Sequence, residues 1–210
     1  MKAVSLISSG IDSPVATYLM SKKAEEIILL HGDITPFTDE REKKNFLALA
    51  KQLKKICKCK IQVFLILHGG SLTSFKQNCE NKFTCVFCKR MLLRYAEKVA
   101  EKNECDAILM GDSLGQVASQ TLQNINTIEQ AVKIPVLRPL IGFDKEEVIA
   151  IAKEIGTYSL SIKPSSGCSA VPNKPSTQAK LEKILEEEAK IDVDEILNNS
   201  VKNSEEVKIY

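Results

Sequence analysis

The chain has 210 residues, a length that fits one large α/β domain better than two complete domains. Its 44% hydrophobic and 27% charged residues are ordinary for a globular protein, which excludes a wholly disordered, collagen-like or low-complexity chain. With 29 Lys and Arg against 27 Asp and Glu, the net charge is only +2, which does not indicate a nucleic-acid-binding protein. Only local clusters of charge could indicate such binding.

Short apolar runs alternate along the chain with longer segments of helical periodicity. The runs predicted as strands are Ala3–Ile7, Ile27–Leu30, Ile61–Leu67, Ala107–Met110 and Val136–Leu140. The segments predicted as helices are Pro14–Lys23, Glu40–Ile56, Lys89–Lys102 and Lys145–Ile155, the last ended by Gly156 at a positive φ angle. This alternation predicts an α/β fold with a doubly wound, parallel sheet of about five strands, which binds ligands beyond the carboxyl ends of its strands.

The pattern changes in the last quarter of the chain. Residues 157–177 are rich in Pro and Ser and predict an irregular loop with Cys168 in its middle. From Gln178 an acidic helical segment follows, which we expect to be solvated and packed on the same domain. We therefore assign residues 1–177 to one domain and residues 178–210 to an acidic tail.

The segment after the first predicted strand has the composition of an anion-binding turn. Its residues, Ser8-Ser9-Gly10-Ile11-Asp12-Ser13, lead into a helix, so that backbone N–H groups, hydroxyls and the positive end of a helix dipole converge. Asp12 beside an anion is unfavourable unless a cation intervenes, and we infer that it helps to place Mg²⁺. A plain Ser/Gly turn is the alternative. The chain lacks GxxxxGK[ST], which disfavours γ-phosphate transfer.

A second segment rich in small and amide residues, Gly111–Leu122, follows the fourth predicted strand. Its position at the carboxyl end of a strand places it beside the anion-binding turn. Gly111 and Gly115 permit close backbone approach, and Gln116 and Gln120 are one helical turn apart, so that their amides can reach one ligand. A capped amphipathic helix is the alternative.

These segments resemble the signature motifs of a known family. The turn Ser8–Ser13 is similar to the SGGxDS motif of PP-loop ATP pyrophosphatases, with Ser9 where glycine is usual. The sequence GDSLGQVASQT from Gly111 resembles the motif (G)(E/D)SLGQVASQT of the tRNA 4-thiouridine synthase (ThiI) family. Three further stretches of that family resemble HGDITPFT at residues 31–38, KRMLLR at 89–94 and GCSAVP at 167–172. The resemblance covers about residues 3–177 and implies a stand-alone PP-loop catalytic domain.

The resemblance implies an ATP-dependent tRNA sulfurtransferase. ATP would transfer AMP to the C4 oxygen of a uridine with release of pyrophosphate, and sulfur would then replace that oxygen to give 4-thiouridine. Strand-end backbone would pair with adenine, Arg90 would neutralise phosphate and Gln120 would donate to phosphate or ribose. A surface ion pair for Arg90 and a structural role for His31 are the alternatives. The residues that the resemblance assigns to nucleotide binding are Leu6, Ile7, Ser8, Ser9, Gly10, Ile11, Asp12, Ser13, His31, Gly32, Arg90, Gly111 and Gln120.

Seven cysteines are present, and in a reducing compartment they fit thiols, metal ligands or catalytic groups better than disulfides. From the residues alone, the pair Cys85 and Cys88 is open to a zinc site that recruits Cys79 or to a redox dithiol. In the resemblance, Cys168 matches the catalytic cysteine. The resemblance favours a 4Fe-4S cluster on Cys85, Cys88 and Cys168 over a persulfide on Cys168, and both over zinc or plain thiols. The remaining cysteines are expected to be ordinary thiols, namely Cys57, Cys59 and Cys105.

The resemblance also implies partners. Full-length members hold tRNA with an N-terminal THUMP region and some carry a C-terminal rhodanese domain, and we expect neither here, because the turn at Ser8 begins within ten residues of Met1 and the chain ends at Tyr210. A homodimer or a separate THUMP-type RNA-binding protein would supply the missing grip, and sulfide or a persulfide protein would donate sulfur. Basic residues that could meet a phosphate backbone cluster between residues 41 and 60 and again at Lys82, Lys89, Arg90 and Arg94, although a solvated helix face explains the first cluster more simply.

The sequence predicts where the protein is located in the cell, and it leaves alternative functions open. No apolar run approaches the roughly 20 residues that cross a bilayer, and the N-terminus lacks a signal-peptide core, so we expect a cytoplasmic protein without membrane contact. An enzyme of the same chemistry could instead modify another tRNA position or a small molecule. A non-enzymatic iron–sulfur or sulfur carrier that retains a nucleotide pocket belongs to a different class.

Overall fold

The computed structural model describes residues 1–209, which form a six-stranded sheet with helices on both faces. The strands are β1 (Lys2–Leu6), β2 (Glu26–Asp33), β3 (Lys60–Leu67), β4 (Ala107–Leu109), β5 (Val136–Leu137) and β6 (Glu205–Glu206). The helices are α1 (Asp12–Ser21), α2 (Glu40–Ile56), α3 (Gly69–Asn78), α4 (Thr84–Lys102), α5 (Leu122–Glu129), α6 (Lys145–Glu154), α7 (Tyr158–Ser161), α8 (Leu181–Glu188) and α9 (Val193–Lys202). Short 3₁₀ turns lie at Asn81–Phe83 and Ala118–Gln120.

The strand order is β5-β4-β1-β2-β3-β6, and β1 to β5 are parallel. This confirms the predicted doubly wound α/β fold. The chain order reverses at β1, which lies between β2 and β4, so the ligand crevice of such a sheet opens beyond the carboxyl ends of these strands. The short β6 pairs antiparallel with β3 and was not predicted, because two consecutive glutamates carry no apolar strand pattern.

Alternate residues of the central strands build two separate hydrophobic clusters, one on each face of the sheet. Val4 and Ile28 pack on one face with apolar residues of α4, whereas Ala3 and Ile27 pack on the other face with residues of α2. All four side chains are at most 1% exposed. Covering both faces explains why the strand sequences are continuously apolar instead of alternating.

The predicted helix boundaries are close to those observed. The helix α2 begins where expected, since the Asp39 side chain accepts a hydrogen bond from the Arg41 N–H and caps its N-terminus. Gly156 has a φ of 71° just after α6, as predicted. No helix within residues 1–209 is both long and apolar enough to span a membrane.

Two features of the segment between β3 and β4 differ from the prediction. The helix α3 was missed because it opens with Gly69 and Gly70, yet a Cβ on Gly69 would lie only 1.7 Å from the carbonyl oxygen of Thr35, so the close approach requires glycine. The helix α4 begins five residues earlier than predicted, at Thr84. Cys85 and Cys88 therefore lie within its first turns.

The acidic C-terminal segment is less solvated than expected. Two of its acidic residues are buried: Glu187 is 0% and Glu188 is 5% exposed. The Glu188 carboxylate receives hydrogen bonds from both Arg90 and Arg94 of α4, at 2.8 to 2.9 Å. These ion pairs hold α8 against α4, the helix that contains Cys85 and Cys88.

Candidate functional site

A cavity of about 350 Å³ opens at the carboxyl ends of β1, β2 and β4, a volume within the ordinary range of small-molecule pockets. Parallel strands end at the same edge of a sheet, which brings together residues that are distant in sequence. The predicted nucleotide-binding residues that line the cavity are Leu6, Ile7, Ser8, Asp12, Ser13, His31, Gly32, Gly111 and Gln120. Ser9, Gly10 and Ile11 belong to the same turn but do not line the cavity.

The turn from Ser8 to Ser13 forms one wall of this cavity. The Ser8 N–H donates to Ser13 Oγ at 3.0 Å, and the Gly10 N–H donates to Ser8 Oγ at 3.2 Å. Ile11, the N-cap residue of α1, makes no side-chain cap hydrogen bond, so the N-terminus of this helix offers backbone N–H groups to an anion. A Cβ on Gly111 would lie 2.6 Å from both N and Cα of Ser13. Glycine at this position therefore allows the loop after β4 to form the opposite wall.

Ser9 binds a carboxylate from another element. Its N–H donates to Glu42 Oε1 at 3.3 Å, and its hydroxyl donates to Glu42 Oε2 at 2.5 Å. Glu42 lies in the first turn of α2 and lines the cavity. A carboxylate at an anion-binding turn occupies donors that a phosphate needs and repels the phosphate charge. The glycine usual at position 9 could not make the hydroxyl contact.

Replacing Glu42 with glutamine is expected to tighten ATP binding about tenfold, or ~1.4 kcal/mol. The variant removes the repelling charge and weakens the two hydrogen bonds that a phosphate must displace, each worth about 1.5–3 kcal/mol when one partner is charged. Titration calorimetry with Mg-ATP measures the change. Glu40→Gln is the matched control, since its side chain lies in the same helical turn and is 91% exposed. Unchanged or weaker binding in Glu42→Gln would contradict this role.

Asp12 already has a cationic partner. Its Oδ1 accepts from Lys145 Nζ at 2.6 Å, and Lys145 is the first residue of α6. Carboxylate oxygen is a preferred Mg²⁺ ligand, and Asp12 lines the cavity, so its chemistry fits the predicted metal. A metal ion at this carboxylate would have to share it with the Lys145 ammonium.

Asp112, one residue beyond Gly111, lies at the centre of a charge network that the sequence analysis did not identify. Lys89 Nζ contacts its Oδ1 at 2.7 Å, Arg138 Nε contacts its Oδ2 at 3.3 Å, and Gln120 Nε2 donates to Oδ1 at 3.3 Å. Burial alone would raise the pKa of Asp112, but the two cations hold that pKa below its usual value. Arg138 also pairs with Glu129, so two carboxylates balance the two cations, and Lys89 is the cation of this network that lines the cavity.

Buried polar atoms without partners concentrate beside this network. Within residues 1–209, Ser113 Oγ, Gln116 Nε2, Gln120 Oε1 and Arg138 Nη2 are buried and make no hydrogen bond. Buried polar groups are normally paired, so such a concentration indicates a ligand or ordered water. The expectation that Gln116 and Gln120 share a helix face was wrong, because residues 111–117 are irregular and Gln120 lies in a 3₁₀ turn.

His31 is 3% exposed and stacks on Phe46, with ring centroids 4.3 Å apart. Burial lowers the pKa of His31, so the ring is neutral near pH 7. Its Nδ1 lies 2.9 Å from the carbonyl oxygen of Ile7, which can only accept, so Nδ1 carries the proton. The Nε2 atom is consequently a hydrogen-bond acceptor for a ligand.

Arg90 requires a correction. Its side chain is 1% exposed, pairs in bidentate fashion with Glu188 and donates to the carbonyl oxygen of Thr127 at 2.6 Å. It does not line the cavity and cannot neutralise phosphate there. Lys89, its neighbour in sequence, takes that position. The engagement of Lys89, Arg90 and Arg94 in internal ion pairs also removes most of the second basic cluster proposed to contact RNA.

Cys168 lies on an exposed loop that docks next to the segment after β2. On one side the Ser169 N–H donates to the carbonyl oxygen of Phe37 at 2.8 Å, and on the other the Ser166 N–H donates to Asp39 Oδ2 at 3.1 Å. This docking brings Cys168 into electrostatic range of Cys85 and Cys88. Burial raises the pKa of Cys88 to about 12, and the charges of Cys168 and Cys85 act in the same direction.

The three thiols do not form a site for a single metal ion. Among residues 1–209, no three His, Cys, Asp or Glu side chains are arranged to hold one ion. The Cys79 Sγ instead donates to the carbonyl oxygen of Glu187 at 3.2 Å, which argues against its recruitment as a zinc ligand. A cluster of several irons needs thiolates spaced more widely than one ion does, and cysteine thiolates are the donors that such a cluster takes.

A second cavity, of about 720 Å³, adjoins the first and shares His31 and Glu42 with it. Lys43 and Lys44 of the first predicted basic cluster line this second cavity, together with Asp33 and residues of the turn before α2. The larger cavity therefore has both cationic and anionic walls and borders the 350 Å³ cavity, which we call the nucleotide-sized cavity.

Comparisons with known proteins agree with these features. A sequence model of the family described as "Thiamine biosynthesis protein (ThiI)" matches residues 1–193. The chain is 42% identical to a probable tRNA sulfurtransferase of Methanothermobacter thermautotrophicus, in an alignment covering 100% of this chain and 54% of the relative. It is 45% identical to a probable tRNA sulfurtransferase of Methanobrevibacter smithii, covering 88% of this chain and 49% of the relative. The chain thus spans about half the length of the curated relatives it matches.

Solved structures of known proteins also match this chain. The chain superposes on a 4-thiouridine synthetase, crystallised as an RNA complex with bound ATP, with a TM-score of 0.93 and 32% identity over 99% of this chain and 55% of that one. It also superposes on the NMN synthetase of Francisella tularensis with a TM-score of 0.58. The latter match covers 96% of this chain and 83% of that one at 14% identity, which is a likeness of fold alone.

Proposed function

Because this chain belongs to the ThiI family, we propose that it is the catalytic part of an ATP-dependent tRNA sulfurtransferase that forms 4-thiouridine. The single observation that carries the proposal is the double role of α4. This helix presents Lys89 to the nucleotide-sized cavity and, one residue earlier, Cys88 to the group of Cys85 and Cys168. Activation of a nucleobase and delivery of sulfur thus have adjacent sites.

The reaction we propose begins with adenylation. The C4 oxygen of a uridine attacks the α-phosphorus of ATP, the bond to the β-phosphate oxygen breaks, and pyrophosphate leaves. The Ser8–Ser13 turn, the N-terminus of α1 and Lys89 stabilise the charge that develops on the departing pyrophosphate. The uracil N3 proton is lost as the adenylate forms. Hydrosulfide then attacks C4, AMP leaves with the oxygen, and the proton of the sulfur moves to N3 to give the C4=S group of 4-thiouridine.

Two cofactors fit the residues. Asp12 would hold Mg²⁺, which supplies charge neutralisation at the phosphates. Cys85, Cys88 and Cys168 would hold a 4Fe-4S cluster, which when bound would supply sulfur chemistry that isolated thiols lack. A persulfide on Cys168 is the alternative use of the same residues.

We propose that the target uridine approaches through the larger cavity, past His31 and Glu42. Lys43 and Lys44 on its rim would meet the tRNA backbone. Beyond this rim, we propose that a homodimer or a separate THUMP-type protein holds the tRNA. Sulfide or a persulfide protein would donate the sulfur. A cytoplasmic location stays a prediction.

The test combines the purified chain with an unmodified tRNA transcript, ATP, Mg²⁺ and sulfide under anaerobic conditions. We expect release of pyrophosphate that depends on tRNA, together with 4-thiouridine in the nucleosides of the digested tRNA. Pyrophosphate release with a small molecule in place of tRNA, or no ATP consumption with any acceptor, would overturn the proposal. Iron analysis and the absorption at about 400 nm after reconstitution decide between cluster and persulfide.

A further inference from the structure

His68 is a buried histidine that the proposed reaction does not use. It follows β3 directly, precedes α3 and is 0% exposed. Its ring meets Tyr95 edge-on with centroids 5.6 Å apart, and a Cβ on Gly32 would come within 3.4 Å of its Cβ. The packing leaves the ring little freedom to turn.

Both ring nitrogens of His68 have partners. Nε2 lies 3.2 Å from the Sγ atom of Cys88, and Nδ1 lies 2.7 Å from the hydroxyl of Ser71. The Ser71 hydroxyl also lies 2.7 Å from the backbone carbonyl oxygen of His68 and 3.1 Å from the Tyr95 hydroxyl. The Tyr95 hydroxyl in turn donates to Ser200 Oγ at 3.2 Å. The Cys88 sulfur is thus the end of a buried hydrogen-bond chain.

A count of protons shows that this series of hydrogen bonds is compatible with two forms of the Cys88 sulfur, one protonated and one without a proton. A neutral imidazole has one N–H, and the Ser71 hydroxyl has one O–H and two acceptors within reach. When Cys88 is a thiol, S–H donates to Nε2, Nδ1–H donates to Ser71 Oγ, and Ser71 donates to the His68 carbonyl. When the sulfur has no proton, Nε2–H donates to it, and the Ser71 O–H turns to Nδ1. The second arrangement holds one proton fewer, and that proton is released to solvent when a metal ion binds the sulfur.

We propose that His68 is a positioning residue for the sulfur site, hydrogen-bonded to the Cys88 sulfur in both forms and set by Ser71. Its Nε2 accepts from the thiol in the metal-free protein and donates to the sulfur once iron has replaced the proton. The second half rests on the proposed function of Cys88, whereas the first half does not. Hydrogen bonds from outside the ligand set fix the orientation of a metal ligand and tune the potential of a cluster.

The metal-free half is tested by nitrogen NMR on protein labelled with ¹⁵N-histidine. The chain contains two histidines, so each ring is assigned by comparison with a single variant. We expect His68 to carry its proton on Nδ1 while the cysteines are reduced, and the Nε2 resonance to shift in Cys88→Ala. A proton on Nε2 in the reduced, metal-free protein, or an unchanged Nε2 resonance in Cys88→Ala, would overturn the inference.

The second half is tested after anaerobic reconstitution with iron and sulfide. His68→Leu is expected to lose iron to a chelator about 10- to 100-fold faster than the unaltered chain and to have a more negative cluster potential. His68→Gln, which keeps an N–H donor, should recover part of both effects. Ser74→Ala on the same helix is the control, and equal iron loss and potential in all four proteins would overturn the second half. An unaltered chain that binds no iron would overturn the proposed cluster, while the NMR result still decides the hydrogen bond.

Discussion

Replacing Cys168 with serine is expected to lower sulfur transfer to tRNA by at least about 10³-fold, while tRNA-dependent pyrophosphate release persists. The first effect follows from the chemistry of sulfur, because a serine hydroxyl neither carries a transferable sulfur nor binds iron as thiolate does. The second follows from the separation of the sites. The groups that we propose to bind phosphate are in the Ser8–Ser13 turn and on α4, whereas Cys168 belongs to a loop that docks on the segment before α2.

The two products are measured in the same reaction, pyrophosphate by a coupled assay and 4-thiouridine by nucleoside analysis. Cys105→Ser is the matched control, since Cys105 lies just before β4, at the opposite end of the strands from the cavity. Its sulfur transfer should equal that of the unaltered chain. Retention of sulfur transfer in Cys168→Ser would remove Cys168 from the chemistry, and loss of pyrophosphate release as well would show that the two steps share this residue.

Local pattern was sufficient to predict the nucleotide-sized cavity, for a physical reason. Strand periodicity fixes where a strand ends, and in a parallel sheet all carboxyl ends lie at one edge, so motifs after β1, β2 and β4 must meet. The prediction needed no knowledge of side-chain orientation. Residues such as Ser8, His31 and Gly111 therefore line one cavity because of their position in the chain, while their contact with a nucleotide stays a prediction.

The orientation of charged residues on helices could not be predicted in the same way. Lys89 and Arg90 are neighbours in a basic stretch, but successive helical residues point about 100° apart, so one faces the cavity and the other faces α8. The spacing of the apolar residues could have shown the orientation of Arg90. Val86, Arg90 and Leu93 are spaced so that they lie on one face of the helix, and Val86 and Leu93 are buried. An arginine in that row is on the buried face and needs a carboxylate partner.

Contacts across long sequence separations were missed for a related reason. Glu42 reaches Ser9 across 33 residues and His68 reaches Cys88 across 20, and neither pair forms a local motif. Only the three-dimensional packing of α2 on the turn after β1, and of α3 on α4, brings the atoms together. Sequence motifs thus predicted residues that line the cavity, whereas the side chains that contact those residues from other elements are known only from the fold.

Glu188→Gln is expected to destabilise the fold by about 3–5 kcal/mol, a large part of the 5–15 kcal/mol that stabilises a typical domain. The carboxylate neutralises two guanidinium groups at once, and Arg90 is 1% exposed, so an amide in its place leaves positive charge buried without a counter-charge. Urea denaturation measures the loss. Glu186→Gln in the same helix is the control: its side chain is 68% exposed, and its pair with Lys183 is at the surface, so we expect a change within about 0.5 kcal/mol.

The ion pairs of Glu188 also predict how the difference in stability between the unaltered chain and Glu188→Gln depends on pH. Burial would raise the pKa of Glu188, but hydrogen bonds from Arg94 and Arg90 outweigh burial and hold that pKa below its usual value. A carboxylate with a depressed pKa in the folded state contributes its stability above the pKa of the unfolded chain, about 4.3, and loses it as pH falls through the folded value. The gap between the unaltered chain and Glu188→Gln should therefore be constant from pH 8 to about 5 and narrow below about 4.3. A gap that stays constant into the acid range would show that Glu188 stabilises the helix pair by packing, without help from its charge.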